Sequence, residues 1–273
     1  MKVSLEEIKE YGLESMTHPG HLKSHILRVE KTVRKYFLQK EGVDSTVLLT
    51  AVYLHDVARA LEKRMRKEGK FCCHAETGAE LADEYLHFID FPKEKIPLVV
   101  HAIETHRYSK DKKPNTMEAK ILHECDKLDA IGAIGIIRTL ISYPAGDSTA
   151  FYHKTEPIAR IRKLDDNKYG IDHFFIKLFK VKDKISFEEL KPEAEKRHAY
   201  MEKFVNELEK EALAENYNGP VHKIFKILEE SVNLQDYEED NPLKEGNTLL
   251  GRLLNENNPF IHDFVEQLKS EIL

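Results

Sequence analysis

Residues 45–56 read STVLLTAVYLHD. Val47, Leu48, Ala51, Val52 and Leu54 make the stretch apolar all round, which predicts a buried helix ending at His55 and Asp56. An ionised carboxylate taken out of water needs a compensating charge. A divalent cation is the natural one, and an adjacent imidazole is a suitable co-ligand. Neighbouring residues on a helix diverge by about 100°. His55 and Asp56 can therefore share an ion only if it lies between their directions or if the helix ends there.

Upstream, Leu22, Ile26, Val29, Val33 and Phe37 recur at spacings of three and four between His21 and Lys40, predicting an amphipathic helix with His25 beside its apolar stripe. Downstream, 59–70 (RALEKRMRKEGK) reads as a solvated loop or short helix. A further helix starts near His74 and carries Ala75, Ala79, Leu81, Ala82, Tyr85 and Leu86. Pro92 suits the first turn of the next helix, whose face of Ile96, Val99, Val100 and Ile103 leads to His106, with His101 to the side.

Thr116 can cap a helix that points Ile121, Leu122, Cys125, Leu128 and Ile131 inward and runs on through AIGAIGIIRTL. Gly132 and Gly135 would let another helix approach it closely. Residues 143–170, with Pro144, Gly146, Pro157 and Gly170, read as a long irregular connection. Its Lys154, Arg160, Arg162 and Lys163 fit a lid or a solvated loop. Helices resume over 172–182 and after a Ser186–Glu189 capping-box pair, the latter running to about residue 216. From 220 the chain is polar, acidic around 229–240, and it closes with Phe260, Ile261, Phe264, Val265 and Leu268. Those residues could pack back on the domain or form a homodimer contact. The expected architecture is all-α: one helical domain over 1–212 and a helical C-terminal extension over 213–273.

Composition narrows the function. Net charge is −6 with 33% charged residues, so no basic field gathers duplex nucleic acid, and small substrates are favoured. Three cysteines are too few for a disulfide framework, which fits a reducing, cytoplasmic setting. No stretch suits a signal peptide or a membrane span. Nine of the 14 histidines fall within residues 1–126, pointing to the N-terminal half for chemistry. There His25, His55, Asp56 and Asp126 form a borderline-to-hard ligand set suited to Mn, Fe, Co, Ni or Zn and less well to Mg.

Five segments occur in order: SHILRV (24–29), LHDVAR (54–59), HAETGAELA (74–82), VVHAIETH (99–106) and EAKILHECDKLDAIGAIGIIR (118–138). Together they resemble the HD-superfamily phosphohydrolases, and the last is similar to one bacterial and archaeal branch of them. The resemblance spans roughly 18–212. It implies an HD-domain helical bundle, metal ligation by His25, His55, Asp56 and Asp126, and hydrolysis of small phosphorylated substrates. It also implies a divalent cofactor, manganese first, as one ion or as two. In relatives with a second ion, further histidines match His74 and His106, with Asp56 able to bridge. His74 could equally cap a helix or bind phosphate, and His106 could be a satisfied core histidine.

Two departures stand out. Leu22 replaces an acidic residue after the first histidine, and Glu124-Cys125 replaces the usual Asp-Ala before Asp126. Both touch the shell that orients ligands and tunes bound water. Cys125 reads as a small core residue, and Cys72-Cys73 lacks the second cysteine pair of a zinc corner.

For the reaction, His74, His101 and His106 could move protons, and Asp129, three residues after Asp126, could hold a ligand water or orient a histidine. Lys23, Arg28, Arg59, Lys127 and Arg138 are the cations nearest in sequence for a phosphoryl group. A nucleotide pyrophosphohydrolase or 5′-nucleotidase is the first expectation. A phosphodiesterase on a cyclic or signalling nucleotide and a catalytically idle, metal-stabilised HD scaffold are the alternatives.

Overall fold

Asp44 starts the helix that organises the fold. Its carboxylate accepts from the N–H groups of Thr46 and Val47 at 3.0 and 3.1 Å, capping a helix over Ser45–Leu54. Every residue from Val47 to Leu54 is buried. In the computed structural model, which describes residues 4–15, 23–107, 112–142, 150–154 and 156–213, that helix is the third of ten. The others are α1 (Leu5–Glu14), α2 (Lys23–Tyr36), α4 (Arg59–Lys67), α5 (His74–Phe88), α6 (Ile96–Thr105), α7 (Met117–Asp129), α8 (Ala133–Ser142), α9 (Asp172–Ile176) and α10 (Lys191–Leu213). Among the described residues there is no strand, only an isolated bridge between Ala150 and Tyr169.

Helix α3 packs against α1, α2, α6 and α7, so its apolar circumference is covered on all sides. Burial of each Leu or Val there contributes about 1.5–3 kcal/mol. Gly12 lets α1 approach, since a β-carbon there would lie 2.1 Å from the Tyr53 carbonyl oxygen. Glu118 of α7 accepts from the Asp44 backbone N–H at 2.8 Å, fixing α7 to the start of α3.

Several boundaries differ from the sequence reading. Residues 59–67 form α4, the short helix that is one of the two readings of this stretch, and its Glu62 turns inward to other charges. Pro92 opens a turn before α6 instead of its first turn, and the proline near the start of that helix is Pro97. The long helix expected from Thr116 is broken into α7 and α8 at Gly132, which adopts φ +86, a left-handed conformation that glycine tolerates. The Thr116 cap itself is present, accepting from Ala119 N–H at 3.2 Å. Segment 172–184 folds as the short α9 and two 3₁₀ turns. Ser186 does not begin a capping box: its N–H and hydroxyl bond to Glu124, while Glu189 pairs with Lys40.

The chain divides into two compact units, one built up to Phe151 together with Leu164–Phe204, the other from Tyr152–Lys163 and the chain from Val205 onward. The first contains every candidate site residue. In the second, the Glu156 carboxylate accepts from the N–H groups of Arg160, Ile161 and Arg162, and Arg160 pairs with Glu209. Most of the expected C-terminal extension, part of the expected lid, and Leu22 lie outside the described residues.

Candidate metal centre

The end of α3 delivers His55 and Asp56 to the middle of the first unit, both fully buried. His55 Nδ1 lies 2.8 Å from the Val52 carbonyl oxygen and donates to it, so Nε2 carries the lone pair that points inward. Helix α2 brings His25 Nε2 to 3.2 Å from His55 Nε2 and 3.7 Å from Asp56 Oδ2. Helix α7 brings Asp126 Oδ1 to 3.2 Å from His25 Nε2. The Asp126 side chain is 20% exposed and marks the open side of the group.

The other oxygen of Asp56 faces a second pair. Oδ1 lies 3.6 Å from His106 Nε2 and 3.8 Å from His74 Nε2. His106 Nδ1 donates to the Ile103 carbonyl oxygen at 2.5 Å, and His74 Nδ1 lies 3.1 Å from Glu62 Oε2. Both Nε2 atoms are buried and have no hydrogen-bond partner among the described residues. Two groups of ligand-type atoms thus share one carboxylate: His25 with His55 and Asp56, and Asp56 with His74 and His106.

Buried lone pairs around buried carboxylates are costly without a cation. The residues therefore fit a divalent ion: the His25, His55 and His106 rings have their outer nitrogens held by carbonyl or carboxylate oxygens, and their inner nitrogens face the oxygens of Asp56 and Asp126. Electrostatics agree. Burial lowers the pKa of His55 to about 4 and of His74 to about 3, leaving both neutral as ligands must be. His25 is opposite: burial would lower its pKa, but hydrogen bonds to Asp126 and Asp129 raise it to about 9. Burial raises the Asp126 carboxyl, and His25 outweighs it, holding it well below the usual carboxylate range.

Asp129 is buried, and its Oδ2 lies 2.7 Å from His25 Nδ1. Arg28 grips the same carboxylate twice, Nε to Oδ1 at 2.7 Å and Nη2 to Oδ2 at 2.8 Å, and Arg138 Nη1 stands 3.8 Å from Oδ2. Arg28 thus holds the residue that holds His25. Arg59 Nε donates to Asp56 Oδ1 at 2.8 Å. Lys127 is buried against the Lys184 carbonyl oxygen, with Nζ 3.4 Å away, and Lys23 is exposed at the start of α2. His101 is not brought into the group: its Nε2 accepts from the Asn115 backbone N–H at 3.1 Å. Cys125 is a core residue whose thiol burial pushes upward in pKa.

Three contributors escaped the sequence reading. Glu62 touches His74, Arg59 and Arg107, and the stripe Asp56, Arg59, Glu62 at three-residue intervals was its available signal. Arg107 follows His106 and also reaches Cys73 Sγ at 3.5 Å. Lys177 feels the charges of Asp126, Arg138, Arg59 and Arg107. Only the tertiary fold signals it.

The HD domain family model matches residues 22–131, the stretch from α2 to the end of α7 that supplies both ligand groups. That stretch is an HD domain. The uncharacterized protein YpgQ of Bacillus subtilis is 29% identical over 197 residues, covering 70% of this chain and 84% of YpgQ. A solved HD-superfamily hydrolase from Bacillus thuringiensis superposes with a TM-score of 0.57 at 29% identity, covering 77% of this chain and 97% of that one. The crystal structure of YpgQ in complex with ADP superposes with a TM-score of 0.57 at 24% identity, covering 79% and 97%. With both histidine and carboxylate groups assembled in its HD domain, the chain is a metal-dependent hydrolase. No helix among the described residues is long and apolar enough to cross a membrane.

Proposed function

We propose that this HD domain hydrolyses phosphate esters or anhydrides of small soluble substrates, nucleotides first, as a pyrophosphohydrolase or 5′-nucleotidase. The convergence of His25, His55, Asp56 and Asp126 carries the reading, because three of the four are buried and Asp126 is open to a ligand from one side. These four would hold the ion, for which the ligand set suits Mn, Fe, Co, Ni or Zn and the family resemblance puts manganese first. A divalent ion held there lowers the pKa of a bound water and polarises a phosphoryl oxygen.

The chain's own residues account for the rest. Val52 and Asp129 fix the outer nitrogens of His55 and His25, so the inner ones stay aimed. Arg138, 3.8 Å from Asp129, and Arg59, which donates to Asp56, supply positive charge beside the carboxylates of the cluster, where a transferring phosphoryl group needs it. His106 Nε2, buried beside Asp56, can accept a proton from an attacking water. The nucleotide assignment is supported by YpgQ, which was crystallised with ADP. A diester substrate is the second reading, favoured by the shared geometry of Asp56, His74 and His106.

The test is a phosphate-release screen of metal-stripped protein re-supplied singly with Mn, Mg, Co, Ni and Zn, across nucleoside mono-, di- and triphosphates. Release that needs metal and disappears in Asp56→Ala supports the proposal. No release with any ion, despite stoichiometric binding that Asp56→Ala destroys, overturns it in favour of a diester substrate or an idle scaffold.

A further inference from the structure

The two groups that share Asp56 are not equivalent. On the His74–His106 side, the Arg59 guanidinium is seated against the carboxylate, with Nε 2.8 Å from Oδ1. Its Nη1 lies 3.5 Å from Glu62 Oε2, and that oxygen is 3.1 Å from His74 Nδ1. Glu62 is buried and also faces Arg107 at 3.5 Å, so it anchors the guanidinium from the side opposite Asp56. Arg59 is only 22% exposed. The same oxygen, Oδ1, is the one that His74 Nε2 and His106 Nε2 approach.

We infer that Arg59 takes the place of a second metal ion. A guanidinium remains charged at every accessible pH, so the protein cannot withdraw that charge by deprotonation. A divalent ion bound to Oδ1 at an ordinary ligand distance of about 2.1 Å would stand within a few ångströms of the guanidinium, a like-charge contact that low dielectric strengthens. The HD domain therefore carries one resident ion, on the Oδ2 side with His25, His55 and Asp126. His74 and His106 keep their inner nitrogens for water or substrate oxygen. The inference rests on the proposed ligation by His25, His55, Asp56 and Asp126, and it argues against the dinuclear diester reading.

The experiment measures metal per chain and the electron paramagnetic resonance spectrum of the full-length protein, stripped, reloaded with Mn(II) and desalted. Wild type should hold one ion with the spectrum of an isolated Mn(II). Arg59→Gln and Arg59→Met, each checked for helix content by circular dichroism, should hold two ions with an exchange-coupled spectrum. Arg59→Lys, which keeps the charge, should hold one, and adding His106→Gln to Arg59→Gln should return the count to one. Two ions in wild type overturn the inference, as does one ion in whichever neutral variant folds. No ion in wild type overturns the proposed ligation itself.

Discussion

Asp129 Oδ2 lies 2.7 Å from His25 Nδ1, joining residues 104 positions apart in sequence. The contact orients the His25 ring, and the double grip of Arg28 fixes the carboxylate in turn. Loss of such an orienting group typically costs about 10- to 100-fold in metal affinity. Asp129→Asn is accordingly expected to weaken Mn(II) binding by that factor in calorimetric titration, with helix content unchanged. Wild-type affinity in the variant would show that His25 is held by packing alone.

Metal removal should destabilise the fold, because the ion binds the folded cluster and not the dispersed ligands. At a free concentration one hundred times Kd, binding adds about 2.7 kcal/mol. At about 2–4 °C per kcal/mol for a chain of this order of size, Tm should fall by roughly 5–10 °C on chelation. Differential scanning fluorimetry with and without chelator measures it, and Asp56→Ala should show no metal-dependent shift.

A polar cluster away from the metal centre should govern part of the acid limb. Burial raises the Glu30 carboxyl, but hydrogen bonds from Tyr53 at 2.7 Å and Arg34 at 2.8 Å, with Lys9 at 3.1 Å, outweigh it and leave the pKa lowered. A carboxyl whose folded pKa is depressed binds its proton more readily in the unfolded chain. Its stabilisation is present above the unfolded value of about 4.3 and is lost as pH falls through the folded value. Glu30→Gln in chelator should therefore lower Tm at neutral pH, with the gap from wild type closing below about pH 4. A gap constant down to the acid transition would contradict this.

Glu124, one of the two family departures, ties the segment that follows the second 3₁₀ turn to α7. Its carboxylate accepts from the Ser186 N–H at 2.9 Å, the Phe187 N–H at 3.0 Å and the Ser186 hydroxyl. Glu124→Ala removes hydrogen bonds to a charged group, a loss of about 1.5–3 kcal/mol. Urea unfolding should show that decrease in ΔG with an unchanged m value. A decrease under 0.5 kcal/mol, on the order of an exposed surface change, would mean that water replaces the carboxylate.

The sequence alone determined the helical character of the chain and the four residues that converge. STVLLTAVYLHD reads as a buried helix, and an ionised carboxylate buried at its end needs a compensating charge wherever the helix lies. Those are local constraints of hydrophobicity and charge. Helix ends were legible where a side chain caps its own backbone, as with Thr116, and illegible where a distant partner took the polar group, as Glu124 took Ser186.

The tertiary structure alone decided which cations face which carboxylates. Arg28, Arg59, Arg138 and Lys127 look alike in a list of basic residues near ligands. Packing turns the first to Asp129, the second to Asp56, the third toward Asp129 and the last to the Lys184 carbonyl oxygen. It also carries Lys177, more than fifty residues beyond Asp126, to the same field. Coulomb energy depends on separation in space and on dielectric, and neither is written in the order of residues.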